Sequence, residues 1–324
     1  MNSDIRRLLS AFGPVIGLVF VFVLFAALSP PAFTSFYNLK TVLTQSVIIG
    51  VAALGMTYVI VSEGIDLSVG SQIALGTVVI ATIVNLGAPT PGVVWPLLAV
   101  FAGIAACAAT GLLNGLLVTR FRIVPFIVTL GTMQIARGVS KWIADEQTVP
   151  TPDNWLNTLM VVDPEPSWLI FGPGVWMCIV LLGITGLGLT RTVFGRYTFA
   201  IGSNERTARL CGIRVNRVKV LIYTLCGVLT GIAATLQYGY LTVGDPTSAV
   251  GLELDIIAAV VIGGGSLSGG EGSALGSIVG ALIMAVLRNG CNMLGVPNFV
   301  QEIIIGAIII GAVLVDQLKH RIRS

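Results

Sequence analysis

The ten residues from Gly263 to Gly272 read GGGSLSGGEG, and their reading decides the class of the whole chain. Within them, Leu267-Ser268-Gly269-Gly270-Glu271 spells a signature of ATP-hydrolysing subunits, which would imply a soluble nucleotide-binding protein. That signature works only beside a GxxxxGK[ST] cradle, whose backbone amides hold the phosphates while its lysine neutralises their charge. The four lysines are Lys40, Lys141, Lys219 and Lys319, and none follows a glycine. The chain therefore builds no nucleotide cradle of its own. The stretch instead separates two apolar runs, Ile256 to Ile262 and Ala274 to Leu287, where small residues suit a helix break and a close helix crossing.

Composition points the same way. Of 324 residues, 55% are hydrophobic and only 10% charged, with a mean hydropathy of +0.94. So few charges cannot cover a soluble domain of this size, and the sequence reads as an all-α polytopic membrane protein. Its 39 glycines fit, because glycine is commoner in membrane helices than in soluble ones. Cys107, Cys178, Cys211, Cys226 and Cys291 show no CxxC pairing, which suggests packing residues rather than a disulfide framework or a metal site. The only histidine, His320, lies in a charged tail, leaving no histidine chemistry inside the membrane. The net charge of +3 is no sign of nucleic-acid binding, since the basic residues mark loops.

Apolar runs of about 17 to 25 residues, divided by Gly, Pro and charge clusters, count as candidate spans. Ten are expected: Phe12 to Leu28, Val42 to Ser62, Val69 to Leu86, Val93 to Thr119, Pro125 to Ile143, Ser167 to Thr190, Val220 to Leu241, Val250 to Leu267, Gly272 to Arg288 and Phe299 to Val315. The first follows Arg6 and Arg7 like a signal peptide, but no small-x-small site comes after it, so it is read as an uncleaved span. The third, entered through Gly64 to Gly70, and the eighth, with Glu253 and Asp255 near its start, are the two expected to be partly re-entrant.

Lysine and arginine set the orientation. Most of the 18 fall in the N-terminal segment, the Val118 to Val124 loop, the Arg191 to Lys219 segment and the Lys319 to Arg323 tail, all on one side of a ten-span arrangement. That side is cytoplasmic, with both termini inside. On the other, the 144–166 loop carries Asp145, Glu146, Asp153, Asp163 and Glu165 without a basic residue, and Trp95, Trp142 and Trp168 stand at outer span ends. The whole 1–324 chain is one transmembrane domain, with 190–219 as its cytoplasmic loop and 144–166 facing outward.

The chain also resembles itself. Leu113-Asn114-Gly115 before Val124-Pro125 matches Arg288-Asn289-Gly290 before Val296-Pro297, once facing in and once facing out, as an inverted repeat would. The glycine-interrupted stretches Gly64 to Gly70 and Gly263 to Gly272 precede the two copies. In the first, Asp66 or Ser68 is placed to accept from free amides of the next helix, the bend resting on Gly64 and Gly70. In the second, Gly264, Ser268, Gly269 and Gly270 mark a break. Gly264, Ser268, Gly272, Gly276 and Gly280 recur every four residues, which predicts a smooth helix stripe; Gly111 with Gly115 and Gly227 with Gly231 repeat the spacing. A tight capped turn and plain packing are the competing readings.

The strongest signal is RTVFGRYTFAIGSNERTARLCGIRVNRVK, Arg191 to Lys219, with seven basic residues against Glu205 alone. A helix is predicted from Glu205 to Cys211, capped by Ser203 or Asn204 and stopped by Gly212. Lying along the membrane, it would present Arg206 and Arg209 to a cytosolic partner. A positive anchor for anionic lipid would explain the arginines but not the capped, glycine-bounded helix.

GIDLSVGS at Gly64 to Ser71, FGRYTFAIGSNERTARLCGIRVNRVK at Phe194 to Lys219 and ELDIIAAVVIGGGSLSGGEGSALGSIVGALI at Glu253 to Ile283 resemble the permease subunits of bacterial ABC sugar importers of the ribose type. The resemblance runs from about Asn38 to Asp316. It implies a permease dimer, a cytosolic ABC ATPase that binds ATP and Mg, a periplasmic or lipid-anchored sugar-binding protein, and residence in the bacterial inner membrane. It also implies an ATPase-coupling loop containing Gly202, Asn204, Glu205, Arg206, Ala208, Arg209, Leu210, Gly212, Ile213 and Arg214. Glu63 stands where the family often has glycine, and Gly265 where threonine is common.

On this reading the chain does no covalent chemistry and needs no cofactor of its own. A neutral monosaccharide suits the apparent lack of a buried charge pair, with Asn114, Gln134, Asn289 and Gln301 as candidate hydrogen-bonding residues along the pathway. The rival is a gradient-driven transporter or channel without an ATPase. It would want acids deep in a span, whereas Glu63, Asp66, Glu253, Asp255 and Glu302 fall near expected ends. An intramembrane hydrolase lacks both GxSxG and a core histidine.

Overall fold

The computed structural model describes residues 3–87 and 92–323. Its helices are α1 (Ser3–Leu28), α2 (Phe36–Val61), α3 (Val69–Leu86), α4 (Val94–Arg120), α5 (Pro125–Ile143), α6 (Pro173–Arg191), α7 (Val193–Ser203), α8 (Glu205–Leu210), α9 (Val215–Leu241), α10 (Leu252–Ile262), α11 (Ala274–Met293) and α12 (Asn298–Arg323). One short antiparallel pair, β1 (Val149–Pro150) with β2 (Val243–Gly244), ties the loop after α5 to the loop after α9. Among the described residues, α2, α3, α4, Ser167–Arg191, α9 and α11 are long and apolar enough to cross a membrane, and Gly13–Leu28 and Asn298–Leu314 are shorter apolar helices. The side chains of Arg6, Arg7, Lys319, Arg321 and Arg323, which weigh in the charge asymmetry, lie outside the described residues.

Burial sorts the helices. The apolar window of α2 is 94% buried, which makes it the central helix. The windows of α4 and Ser167–Arg191 are each only 28% buried and expose Phe101, Ile184 and their neighbours outward, as a lipid-facing surface does. With no hydrophobic drive between helices in lipid, close approach must come from small residues. α4 and α9 cross on Gly111 and Gly115 against Gly227 and Gly231: a methyl at Gly231 would lie 2.5 Å from the Ile104 Cα, and one at Gly115 2.8 Å from the Val220 Cα. The packing reading of these four glycines is what the structure shows. A reciprocal amide pair, Asn38 with Asn289 at 3.0 Å in both directions, pins the start of α2 to α11. Cys107, Cys178, Cys226 and Cys291 are buried and Cys211 is exposed.

One expectation changes, and of the two spans expected to be partly re-entrant the third is a full 18-residue helix while the eighth is short. The stripe from Gly264 to Gly280 is not one helix face: only Gly276 and Gly280 lie in α11, packed on Gly263 and Ala259 of the α10 side. Gly264, Gly269, Gly270 and Gly272 take φ of 95°, 79°, 76° and 157°, left-handed backbone that no helix contains. The eighth span, expected over Val250 to Leu267, holds a helix of 11 residues. At 1.5 Å per residue that is about 16 Å, roughly half of a bilayer core. The missing half is a run of turns over residues 246–251, with Ala249 and Gly251 at φ 57° and 80°. From β2 it runs down beside α3, the Asp245 amide donating to Thr77 Oγ1 at 3.4 Å, with Arg137 of α5 donating to the Pro246 and Ser248 carbonyls at 2.9 and 2.7 Å.

Candidate functional site

The Arg191 to Lys219 segment folds as its sequence dictates. Asn204 caps α8, its Oδ1 accepting from the Thr207 amide at 2.9 Å. Gly212, at φ 83°, ends it: its amide donates to the Arg209 carbonyl at 3.0 Å, and the Ile213 amide to Ala208 at 3.1 Å. Glu205 receives Arg209 at 2.6 Å and Lys219 at 2.6 Å, which ties α8 to the base of α9. Burial alone would raise the Glu205 carboxyl, but the hydrogen bonds and charges of Lys219 and Arg209 outweigh it and hold the carboxyl below its ordinary range. The face left outward carries Arg206 and Leu210, the latter 88% exposed. Beside it, a cleft of about 500 Å³ under the α4–α5 turn is lined by Arg122, Arg209 and Lys219.

α7 packs between this surface and the bundle. Phe194 stacks on Tyr58 of α2 with ring centroids 5.7 Å apart. At its other end, Gly202 lies on the backbone where the Gly270 amide donates to the Val61 carbonyl at 2.9 Å. A methyl at Gly269 would meet the Gly202 carbonyl at 2.7 Å and the Glu63 Cβ at 2.9 Å. Gly202 of the Arg191 to Lys219 segment, Gly269 and Gly270 of the break, and Glu63, which leads into the Gly64 to Gly70 link, therefore meet at one junction. Glu63 itself takes φ 63°, the conformation that the glycine common in the resembling family would adopt freely.

From that junction the 62–68 link climbs into the bundle. Asp66 and Ser68 are fully buried, and Asp66 Oδ1 accepts from the Ser68 amide at 2.9 Å. Ser68 Oγ accepts from Gln72 at 2.7 Å and from Asn114 at 2.9 Å, and Asn114 also reaches Asp66 Oδ2 at 3.3 Å. At Gly70 the link meets the turns that follow β2: a methyl there would lie 2.6 Å from the Ala249 carbonyl and in collision with the Glu253 carboxylate. The two meeting segments read alike, Gly64-Ile65-Asp66-Leu67-Ser68 and Gly251-Leu252-Glu253-Leu254-Asp255, a correspondence the sequence reading missed by pairing Gly64 to Gly70 with Gly263 to Gly272.

Asp255 overturns part of the expected absence of a buried charge pair: its carboxylate is buried, while the side chain of its partner Arg288 is 41% exposed. Asp255 is 1% exposed and accepts from Arg288 Nη2 across the α10–α11 contact. Of the acids that fall near helix ends in the sequence, Asp66 and Asp255 are inside the protein because α3 and α10 begin inside it, whereas Glu63 and Glu302 are exposed. Next to the pair, Gln45 of α2, Gln237 and Tyr240 of α9 and Asn292 of α11 line a groove of about 350 Å³. Sequence reasoning missed these residues; the available signal was an arginine and three amides within otherwise apolar spans.

The four candidate pathway residues do not converge. Asn114 serves the Asp66 link and Asn289 the pair with Asn38, while Gln301 donates to Asn292 at 2.8 Å and to the Val296 carbonyl at 2.9 Å. Gln134 is exposed on α5, away from the groove. Among the described residues, no group of His, Cys, Asp and Glu could hold a metal ion.

Residues 38–313 match the family described as branched-chain amino acid transport system / permease component. The chain is 38% identical over 315 residues to the ribose import permease protein of Bacillus subtilis, covering 95% of this chain and 92% of that one. It is 40% identical over 313 residues to the ribose import permease protein of Escherichia coli K12, covering 94% and 93%. With the L-arabinose ABC transporter permease protein of Azospirillum brasilense it shares 37% over 310 residues, covering 95% and 88%. No solved structure matches it. Matched over most of its length by one transport profile and nearly end to end by import permeases, this multi-pass membrane protein belongs to the permease-component family of those transport systems.

Proposed function

We propose that the chain is the permease subunit of an ATP-driven, binding-protein-dependent importer of a monosaccharide, working as a dimer in the bacterial inner membrane. The family description names branched-chain amino acids, but the relatives similar along nearly the whole chain are named for ribose and arabinose, and the substrate is taken from them. In this reading the ten helical segments are ten membrane crossings, the eighth discontinuous, with both termini and α8 in the cytoplasm. The links at Gly64 and Gly251 are the equivalent breaks of an inverted repeat, closing on each other inside the bundle.

The observation that carries the coupling is the seat of α7 and α8. The exposed Arg206 and Leu210 are available to a cytosolic ATPase, while Gly202 rests on both the α2 terminus and the Gly263 to Gly272 break. Movement of the docked ATPase therefore reaches, through backbone contacts, the links that lead to the centre. ATP and Mg bind the partner, and this chain stabilises inward-open and outward-open states differentially.

Arg206→Glu tests the docking, because Arg206 is exposed and makes no internal ion pair among the described residues. An interface arginine of this kind is worth about 2 kcal/mol, so ATP-driven uptake falls on the order of thirty-fold at an unchanged membrane level. Normal uptake refutes the coupling role.

A further inference from the structure

We propose that the groove between α2, α9, α10 and α11 is a binding station for a neutral polyhydroxylated ring, with Asp255, Arg288, Gln45 and Gln237 as its hydrogen-bonding groups. The inference rests on the sugar-importer reading and deepens it by naming where the permease itself holds the ligand.

Position is the first argument. The groove is lined by Ala249, Leu252 and Asp255, where the chain after β2 turns into the short α10, so it lies at the break in that discontinuous segment. Transporters built from broken helices bind their substrates at such breaks, where irregular backbone lines a cavity. Its volume, about 350 Å³, is in the range of small-molecule pockets.

Unspent bonding capacity is the second. Arg288 Nε is buried without a hydrogen-bond partner, although Nη2 of the same guanidinium is engaged by Asp255. Asp255 uses Oδ2 for that pair, leaving Oδ1 to accept. Gln45 and Gln237 make no side-chain hydrogen bond among the described residues, though both stand in apolar helices beside the groove. A buried polar atom left unpaired costs free energy, and hydroxyl groups, which both donate and accept, satisfy donors and acceptors alike.

Charge selects the ligand class. Asp255 and Arg288 neutralise each other, so the groove offers no net charge to an ion. A zwitterionic amino acid would have to separate the pair to bind its two ends, whereas a sugar hydroxyl bonds the outer edge of the intact pair. Tyr240, 48% exposed, adds an aromatic face for the C–H side of a ring.

The test uses the permease reconstituted in proteoliposomes with its ATPase and binding protein, reading uptake of radiolabelled D-ribose and L-arabinose against ATP hydrolysed. Each lost amide contact lowers occupancy of the station about five-fold, so Gln45→Ala/Gln237→Ala lowers sugar carried per ATP by about twenty-five-fold. Arg288→Lys keeps the charge, removes the Nε donor and lowers the ratio about five-fold by the same reasoning. A ratio equal to wild type in these variants overturns the station, whether uptake and hydrolysis are both unchanged or both reduced. Wild-type vesicles that hydrolyse ATP and carry L-leucine but neither sugar overturn the importer reading itself.

Discussion

Gly202→Ala is a small change at the point where the surface helix meets the interior. The added methyl would sit 2.6 Å from the Gly270 nitrogen and still closer to the Val61 carbonyl, the two atoms that hydrogen-bond each other at 2.9 Å. Carbon reaches its optimal separation from a neighbouring heavy atom at about 3.5 to 4.0 Å, so the end of α7 must withdraw by about 2 Å or the Gly270 to Val61 bond must open. Overpacking of this kind costs about 1–3 kcal/mol, and the lost hydrogen bond about 1 kcal/mol more. Together that is about 2–4 kcal/mol against the seated arrangement, or roughly 30- to 1,000-fold in its population.

The helices that cross the membrane do not depend on this contact, so the protein reaches the membrane at its normal level. What falls is ATP-driven uptake, by at least about thirty-fold, while a tagged chain still recovers its ATPase, because the outward face of α8 is unaltered. Gly212→Ala supplies the contrast. Nothing lies within 4 Å of a methyl there, and the cost is only that of a left-handed alanine at φ 83°, about 1–2 kcal/mol, confined to the end of α8. Uptake by Gly202→Ala within two-fold of wild type at equal membrane level would refute the claim that force passes through this junction.

Two further outcomes follow from the same region. Glu205, held below its ordinary range by Lys219 and Arg209, stabilises the α8–α9 connection above the unfolded carboxyl pKa and loses that contribution as pH falls through the depressed value; protease nicking of the 204–212 segment therefore rises only in acid, and Glu205→Gln removes the pH dependence. Glu63→Gly relieves a left-handed non-glycine residue at φ 63° and raises thermal stability by up to about 1 kcal/mol, measured by unfolding in detergent; a clear loss of stability would show that the Glu63 side chain has a role beyond its backbone.

Which of these features the sequence could reveal depends on the range of the physics behind them. The α8 cap, stop and length were legible because capping is local: Asn204, Thr207 and Gly212 decide it within one turn. The small-residue faces of α4 and α9, though not that they pack on each other, were legible because Gly111, Gly115, Gly227 and Gly231 lie on real helices, so four-residue spacing places each pair on one face. The same spacing misled from Gly264 to Gly272, since periodicity cannot tell a helix face from a run of left-handed glycines. The short α10 was hidden for a related reason. Val250 to Leu267 is apolar throughout its middle, and hydropathy measures what the chain avoids rather than whether it is helical. Arg288, inside an apolar span, was the one visible sign that a carboxylate waited opposite it.

That pair also bears on the rival, ion-driven reading, which required acids deep in the bundle. Asp66 and Asp255 supply the depth, at 0% and 1% exposure. Depth alone does not make an ion carrier, because a carrying carboxylate must exchange its counter-ion during each cycle. Asp255 has a fixed one: Arg288 is covalently part of α11, and releasing it would leave the buried carboxylate uncompensated, a penalty of several kcal/mol. Asp66 is surrounded by Ser68 and Asn114, groups that donate hydrogen bonds and carry no charge, and it sits in the link that leads to the α7 junction. Its bonds fix the geometry of the bend. The chain thus places one acid where its bonds fix a bend and another beside a groove lined by one acid and one base, and on the proposed importer reading the work that moves the bend would enter from the face that carries Arg206.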